Sequence, residues 1–177
     1  NNKKILIQGV GNVGENLIQL LQKENADIYI NDVNEEKMKT ISSKYNIKII
    51  QENIYSSDID IYAPCALGGT LNGFTIPQLK CDIVAGAANN QLAKENTHDE
   101  MLRQHNILYA PDFLINAGGL INVYSEINGY DREKSLNKTR KIYDTTLEIL
   151  LKAEQEDITT HKAALVIAEQ RIQNNRI

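Results

Sequence analysis

Gly9-Val10-Gly11-Asn12-Val13-Gly14 separates two kinds of apolar pattern. Before it lies an unbroken apolar run, Ile5-Leu6-Ile7. After it, Val13, Leu17, Leu20 and Leu21 recur at helical spacing. The order is strand, glycine turn, helix. In such a turn Gly9 permits the bend, Gly11 leaves the backbone open to a pyrophosphate, and Gly14 lets the helix approach the strand. The helix start then offers free N–H groups, Asn12 and Val13 among them, and a partial positive charge to the phosphates. Asp32 lies 18 residues beyond Gly14, at the end of a second apolar run, Ile28-Tyr29-Ile30. A carboxylate there accepts hydrogen bonds from a ribose and repels a 2′-phosphate. No Arg or Lys follows until Lys37. The pattern therefore reads as NAD rather than NADP. The competing reading is a glycine-rich turn in some other α/β domain.

Length and composition agree with one domain. The 177 residues carry 42% hydrophobic and 24% charged residues and a net charge of −4. An acidic balance without basic runs argues against nucleic acid. No apolar run approaches the ~20 residues that span a bilayer, so no membrane partner is expected. Cys65 and Cys81 lack any CxxC or metal-ligand spacing and read as small buried residues in a reducing cytoplasm. The first residue is Asn1 rather than Met and a strand follows at once, which suggests an excised or truncated domain.

Further strands are expected at Asp27–Asn31, Ile47–Ile50, Ile59–Tyr62, Asp82–Val84 and Ile107–Tyr109. Asn34 is placed to cap a helix that buries Met38, Ile41 and Tyr45. Asn25 and Asn106 are placed as helix stops, Thr75–Leu79 as a short helix and His98–His105 as a longer one. Alternation of short apolar strands with helices is the pattern of a doubly wound, mostly parallel sheet of the Rossmann type. Residues 1–115 form its nucleotide-binding core. From Asn116 the character turns helical through residue 177, starting with Leu120–Tyr124, which Gly129 breaks. A helix capped by Asp131 carries Leu136, Arg140, Tyr143, Leu147 and Leu150 as its inward stripe, and a last helix, with Thr159 and Thr160 as caps, carries Leu165, Ala168 and Ile172.

Read together, five segments resemble the glutamate/leucine/phenylalanine/valine dehydrogenases. They are Gly9–Gly14 with Asp32-Val33-Asn34, Ala63–Ala66, Ala87–Asn90, and Tyr109–Gly119, of which Ala110–Gly119 is the most specific. The resemblance implies oxidative deamination of an L-amino acid: a hydride passes from the substrate Cα to NAD, and water hydrolyses the imine to a 2-oxo acid and ammonia. It also implies a second, N-terminal domain that brings two lysines and an aspartate to the cleft, and a full-length homo-oligomer. No glycine-rich lysine motif occurs here, so no catalytic residue is expected in this chain, which should bind NAD without turnover.

The resemblance places further residues. Cys65, Ala66 and Leu67 would run beside the nucleotide, with Val33 and Asn34 near the adenosine, although Asn34 serves equally as a plain cap. Ala88 and Asn89 would lie beside the nicotinamide ribose, and Asn116 near nicotinamide and substrate. Leu120 and Val123 match the positions that line the substrate side-chain pocket, and two aliphatic residues favour leucine and other branched-chain substrates over glutamate. Core packing is the competing reading of both. Valine or phenylalanine as substrate, or an NAD-sensing module without catalysis, are the alternatives. His98, His105 and His161 have no metal-ligand spacing and are expected to face solvent or cap helices.

Overall fold

A computed structural model describes residues 2–127 and 129–174. Each short apolar run enters one six-stranded, all-parallel sheet of order β3-β2-β1-β4-β5-β6. The strands are β1 (Lys4–Gln8), β2 (Asp27–Asn31), β3 (Lys48–Ile49), β4 (Ile61–Pro64), β5 (Ile83–Val84) and β6 (Leu108–Tyr109). The helices are α1 (Asn12–Lys23), α2 (Glu35–Tyr45), α3 (Glu95–Gln104), α4 (Asp112–Ile115), α5 (Gly118–Ile127), α6 (Arg132–Glu156) and α7 (Thr160–Asn174). Isolated 3-10 turns cover Ile54–Ser56 and Ile76–Gln78. The sheet order reverses between β1 and β4, so the loops after these two strands diverge there and open the crevice in which such sheets hold ligands.

Two apolar clusters cover the sheet. One gathers Ile5, Ile7, Ile18, Ile30, Met38 and Ile41, and the other Leu6, Tyr62, Leu71, Val84, Leu102 and Tyr109. Successive residues of β1 thus serve opposite faces. A third cluster joins Ile149 and Ala153 of α6 to Ala163, Ala164 and Ile167 of α7. Among the described residues no helix is long and apolar enough to cross a membrane.

Several boundaries differ from expectation. β4 begins at Ile61, two residues late, and Asp60 meets β1 through backbone and side chain, its N–H donating to Lys4 O at 2.9 Å and its carboxylate accepting from Lys4 N at 2.7 Å. β3 is reduced to two residues at the sheet edge. α3 starts at Glu95, three residues early, and α4 is an added turn after Pro111. α5 takes in both Gly118 and Gly119.

The helix faces differ more. On α1, Gly14 and Ile18 are buried while Val13 and Leu20 are more than half exposed. Gly14 fixes this rotation, since a Cβ there would lie 2.0 Å from the Gly9 carbonyl oxygen. On α6 the buried residues are Ser135, Ile149 and Ala153, and the expected stripe of Leu136, Tyr143 and Leu147 faces outward. On α7, His161, Ala163, Ala164 and Ile167 turn inward, while Leu165, Ala168 and Ile172 do not. Ala153, Ala163 and Ala164 share the α6–α7 contact with Ile149 and Ile167, and their small size lets the two helices approach closely.

Candidate functional site

The glycine turn is held from three sides. Gly9 adopts φ +102°, a region that side chains avoid. Its N–H donates to Asn31 O at 2.7 Å, which ties it to the end of β2. A Cβ on Gly9 would sit 2.7 Å from Ala66 Cβ, and Cys65 N donates to Gln8 O at 2.7 Å, so the loop after β4 lies directly against the turn. Gly11 is the contrast: a Cβ there meets nothing within 4 Å.

Gly11 is also the N-cap of α1 and supplies no side-chain cap. Asn34 and Asp131 do cap α2 and α6, accepting from Lys37 N and Lys134 N at 3.0 Å each. The first-turn N–H groups of a helix have no intrahelical acceptor. At α1 they include those of Asn12 and Val13, and they open onto the unfilled space at Gly11. That combination fits an anionic bridging group such as a pyrophosphate.

Asp32 closes the other end. One carboxylate oxygen accepts from Val10 N at 2.8 Å and the other from Asn34 N at 3.0 Å. The half-buried carboxylate is thereby aimed from the end of β2, with Val33 fully exposed beside it. Asn34 is a helix cap, which gives its side chain a structural role.

The loops after β4, β5 and β6 meet at the same sheet edge. Ala88 is buried, its N–H donating to Pro64 O at 2.9 Å. Its carbonyl accepts from Gln91 Nε2 at 3.0 Å. Asn116 Nδ2 donates to Asn89 Oδ1 at 2.7 Å, joining the loop after β5 to that after α4. Ala66 and Leu67 are exposed. Cys65 is half-buried and Cys81 buried; burial raises both thiols, Cys81 to about 11.

Beside the amide pair lies an open cleft of about 690 Å³, lined among others by Asn89, Glu95, Phe113, Asn116, Leu120 and Val123. Leu120 and Val123 are 73% and 57% exposed, so they are not core residues of this chain. The chain folds all the expected site residues onto one edge, from Asp32 through the glycine turn to Val123.

Sequence reading missed the supports. Gln91 is fully buried; its Nε2 also holds Gly86 O at 2.6 Å, and its N–H donates to the buried Asp112 at 3.0 Å. A Gln-Leu pair after two asparagines offered little signal for this. Of the histidines, one departs from expectation. His98 is buried, and its Nδ1 accepts from the N–H of Lys94, the N-cap residue of α3, at 2.9 Å, which keeps it at the helix start as expected. His161 is buried and caps nothing.

The fold and this edge define a doubly wound domain built to hold a dinucleotide. Comparison with known proteins sharpens that class. The Glutamate/Leucine/Phenylalanine/Valine dehydrogenase family model matches residues 28–177. The chain is 47% identical over 174 residues to L-tryptophan dehydrogenase from Nostoc punctiforme, covering 98% of this chain and 49% of that protein. It is 44% identical over 171 residues to leucine dehydrogenase from Bacillus cereus, covering 96% and 46%. The crystal structure of the Nostoc punctiforme enzyme matches with a TM-score of 0.96 at 46% identity, covering 99% of this chain and 53% of that one. The chain belongs to the glutamate/leucine/phenylalanine/valine dehydrogenase family, whose members are NAD(P)-dependent amino-acid dehydrogenases. It spans about half the length of the curated relatives it matches.

Proposed function

We propose that the chain is the cofactor half of a dehydrogenase that reversibly deaminates L-leucine and other branched-chain L-amino acids to 2-oxo acids and ammonia. The observation that carries this reading is the placement of Leu120 and Val123. Both are exposed on α5 and line the cleft that holds the Asn89–Asn116 pair. NAD, when bound, supplies the hydride acceptor.

The chain's own groups bind and orient. Gly9, Gly11 and Gly14 shape the turn, and the N–H groups of Asn12 and Val13 receive the pyrophosphate. Asp32 accepts from the adenosine ribose and disfavours a 2′-phosphate, with Val33 and Asn34 alongside. Cys65, Ala66, Leu67, Ala88 and Asn89 flank the nucleotide. Asn116 donates and accepts beside the reacting carbon without adding charge. Hydride transfer requires no protein nucleophile, so Cys65 takes no chemical part. The proton-moving lysines belong to the other half of a full-length homo-oligomer.

An aromatic substrate is the second reading, favoured by the 47% identity to L-tryptophan dehydrogenase. The test compares kcat/KM of the full-length protein for Leu, Ile, Val, Phe and Trp, with NAD and with NADP. Branched-chain substrates are expected to lead by roughly tenfold or more, in the range that differences in pocket fit provide. A lead for Trp would install the second reading. Calorimetry on the 177-residue chain is expected to show NAD binding, with no leucine oxidation in a parallel assay.

A further inference from the structure

His161, the second residue of α7, is 4% exposed, and neither ring nitrogen has a hydrogen-bond partner among the described residues. Glu95 Oε2 lies 3.8 Å from Nε2, beyond hydrogen-bond reach. Leaving a polar ring buried and unpaired costs stability. What the imidazole contributes is therefore its body rather than its nitrogens.

That body meets Phe113 edge to face, with ring centroids 5.4 Å apart and planes at 80°. Phe113 lines the cleft with Asn116, Leu120 and Val123 and is 43% exposed. It sits on α4, a single turn. The start of α7, by contrast, is anchored. Thr159 Oγ1 donates to Asp99 Oδ2 at 2.7 Å, and Thr160 Oγ1 donates to Tyr109 O at 2.5 Å. Thr159 also caps the helix, accepting from Lys162 N at 3.2 Å. A fixed ring on an anchored helix start thus backs a cleft-wall ring on a short turn.

We propose that His161 is a positioning residue for the amino-acid cleft, holding the Phe113 ring in the wall that the substrate side chain meets. The proposal rests on the reading of this cleft as the amino-acid site. In the full-length protein, His161→Ala is expected to raise the amino-acid KM roughly tenfold, with kcat and the NAD KM within about twofold. His161→Phe keeps the ring and restores the KM. It also raises Tm, because two unpaired buried nitrogens are gone. An alanine variant that lowers Tm with an unchanged amino-acid KM overturns the proposal, as does a phenylalanine variant that fails to restore it. His161→Leu, which fills the space without a ring, replaces the alanine variant if that one does not fold.

A second readout needs no turnover. The chain has two phenylalanines, Phe74 and Phe113. Labelled with fluorophenylalanine, the 177-residue chain gives two fluorine resonances. Loss of the ring at 161 is expected to shift the Phe113 resonance and leave that of Phe74. An unmoved Phe113 resonance overturns the proposal. If the parent protein oxidises no amino acid, the dehydrogenase reading falls while the fluorine spectrum still decides the role of His161.

Discussion

Leu6, Ile7 and Ile30 in the sheet are fully enclosed, whereas α5 buries no residue and leaves Leu120, Val123, Tyr124 and Ile127 more than half exposed. The long helix α6 likewise turns Tyr143 and Leu151 to solvent. The strands before Asn116 enclose most of their apolar groups, while exposed ones such as Val13, Val33 and Leu67 sit on helix and loop positions. The helices after Asn116 pack Ile149 and Ala153 against Ala163, Ala164 and Ile167, and present most of their other large apolar residues outward. Exposed apolar groups recurring along one helix, as on α5, mark a contact or ligand surface. At Leu120 and Val123 that surface is the cleft itself. The apolar residues of the sheet therefore maintain the fold, and those of α5 furnish a surface.

The largest test of this contrast sets two glycines of one turn against each other. Gly14→Val forces a Cβ to within 2.0 Å of the Gly9 carbonyl oxygen and is expected to cost more than about 4 kcal/mol in urea unfolding. At Gly11 an added Cβ meets nothing within 4 Å, so Gly11→Val is the open counterpart. It is expected to cost under about 1 kcal/mol, yet to remove NAD binding measured by calorimetry. Equal instability of the two variants would mean that Gly11 too is structural.

Next in size is a leucine pair. Leu6→Ala is expected to lose about 3 kcal/mol, within the range for enclosed leucines. Leu151, 55% exposed, should lose no more than about 0.5 kcal/mol on the same change. Similar losses would erase the distinction between the regions.

Asp32→Ala removes acceptors from Val10 N and Asn34 N, at about 1–2 kcal/mol of stability. Calorimetric titration with both nucleotides should show weaker NAD binding and a narrower gap to NADP. Unchanged NAD affinity would remove Asp32 from the ribose site.

The smallest effect is acid sensitivity in the sheet region. The Lys4 N–H, and then Lys3, hold the Asp60 carboxyl below its usual range. Lys48, then Tyr29, do the same for Asp27. A carboxyl depressed in the folded state stabilises above its unfolded pKa of roughly 3.9, and that contribution disappears as pH falls through the folded value. The urea midpoint should therefore fall below about pH 4, and less steeply in Asp60→Asn. Identical acid slopes would show that Asp60 does not contribute.

β1, β2 and the Asn34 cap were legible to the residue, and α1 in its place but not its rotation, because periodicity, glycines and capping chemistry are local signals. The glycine turn and the loops after β4, β5 and β6 were legible as one edge because strand ends in this topology share one side, whereas Asn116, Leu120 and Val123 were placed by the family resemblance. Helix rotation was not legible, since it depends on which neighbour approaches. Gly14 turns Val13 outward, and the alanine contact of α6 with α7 displaces the leucine stripe. The supports Gln91, Asp112 and His161 were hidden for a similar reason, because their partners come from loops that meet only in the folded chain.

The central place of β1 has a consequence in time. It pairs with β2 on one side, but on the other Ile5 must meet Ile61, 56 residues further along the chain. At ribosomal rates of roughly 5–20 residues per second, that edge stays open for on the order of 3–10 s. Through that interval Ile5-Leu6-Ile7 is an apolar strand with an unpaired side, the kind of segment on which chaperones act and from which aggregation starts. The strand around which the dinucleotide site is built is thus the one that must wait for its second neighbour during synthesis.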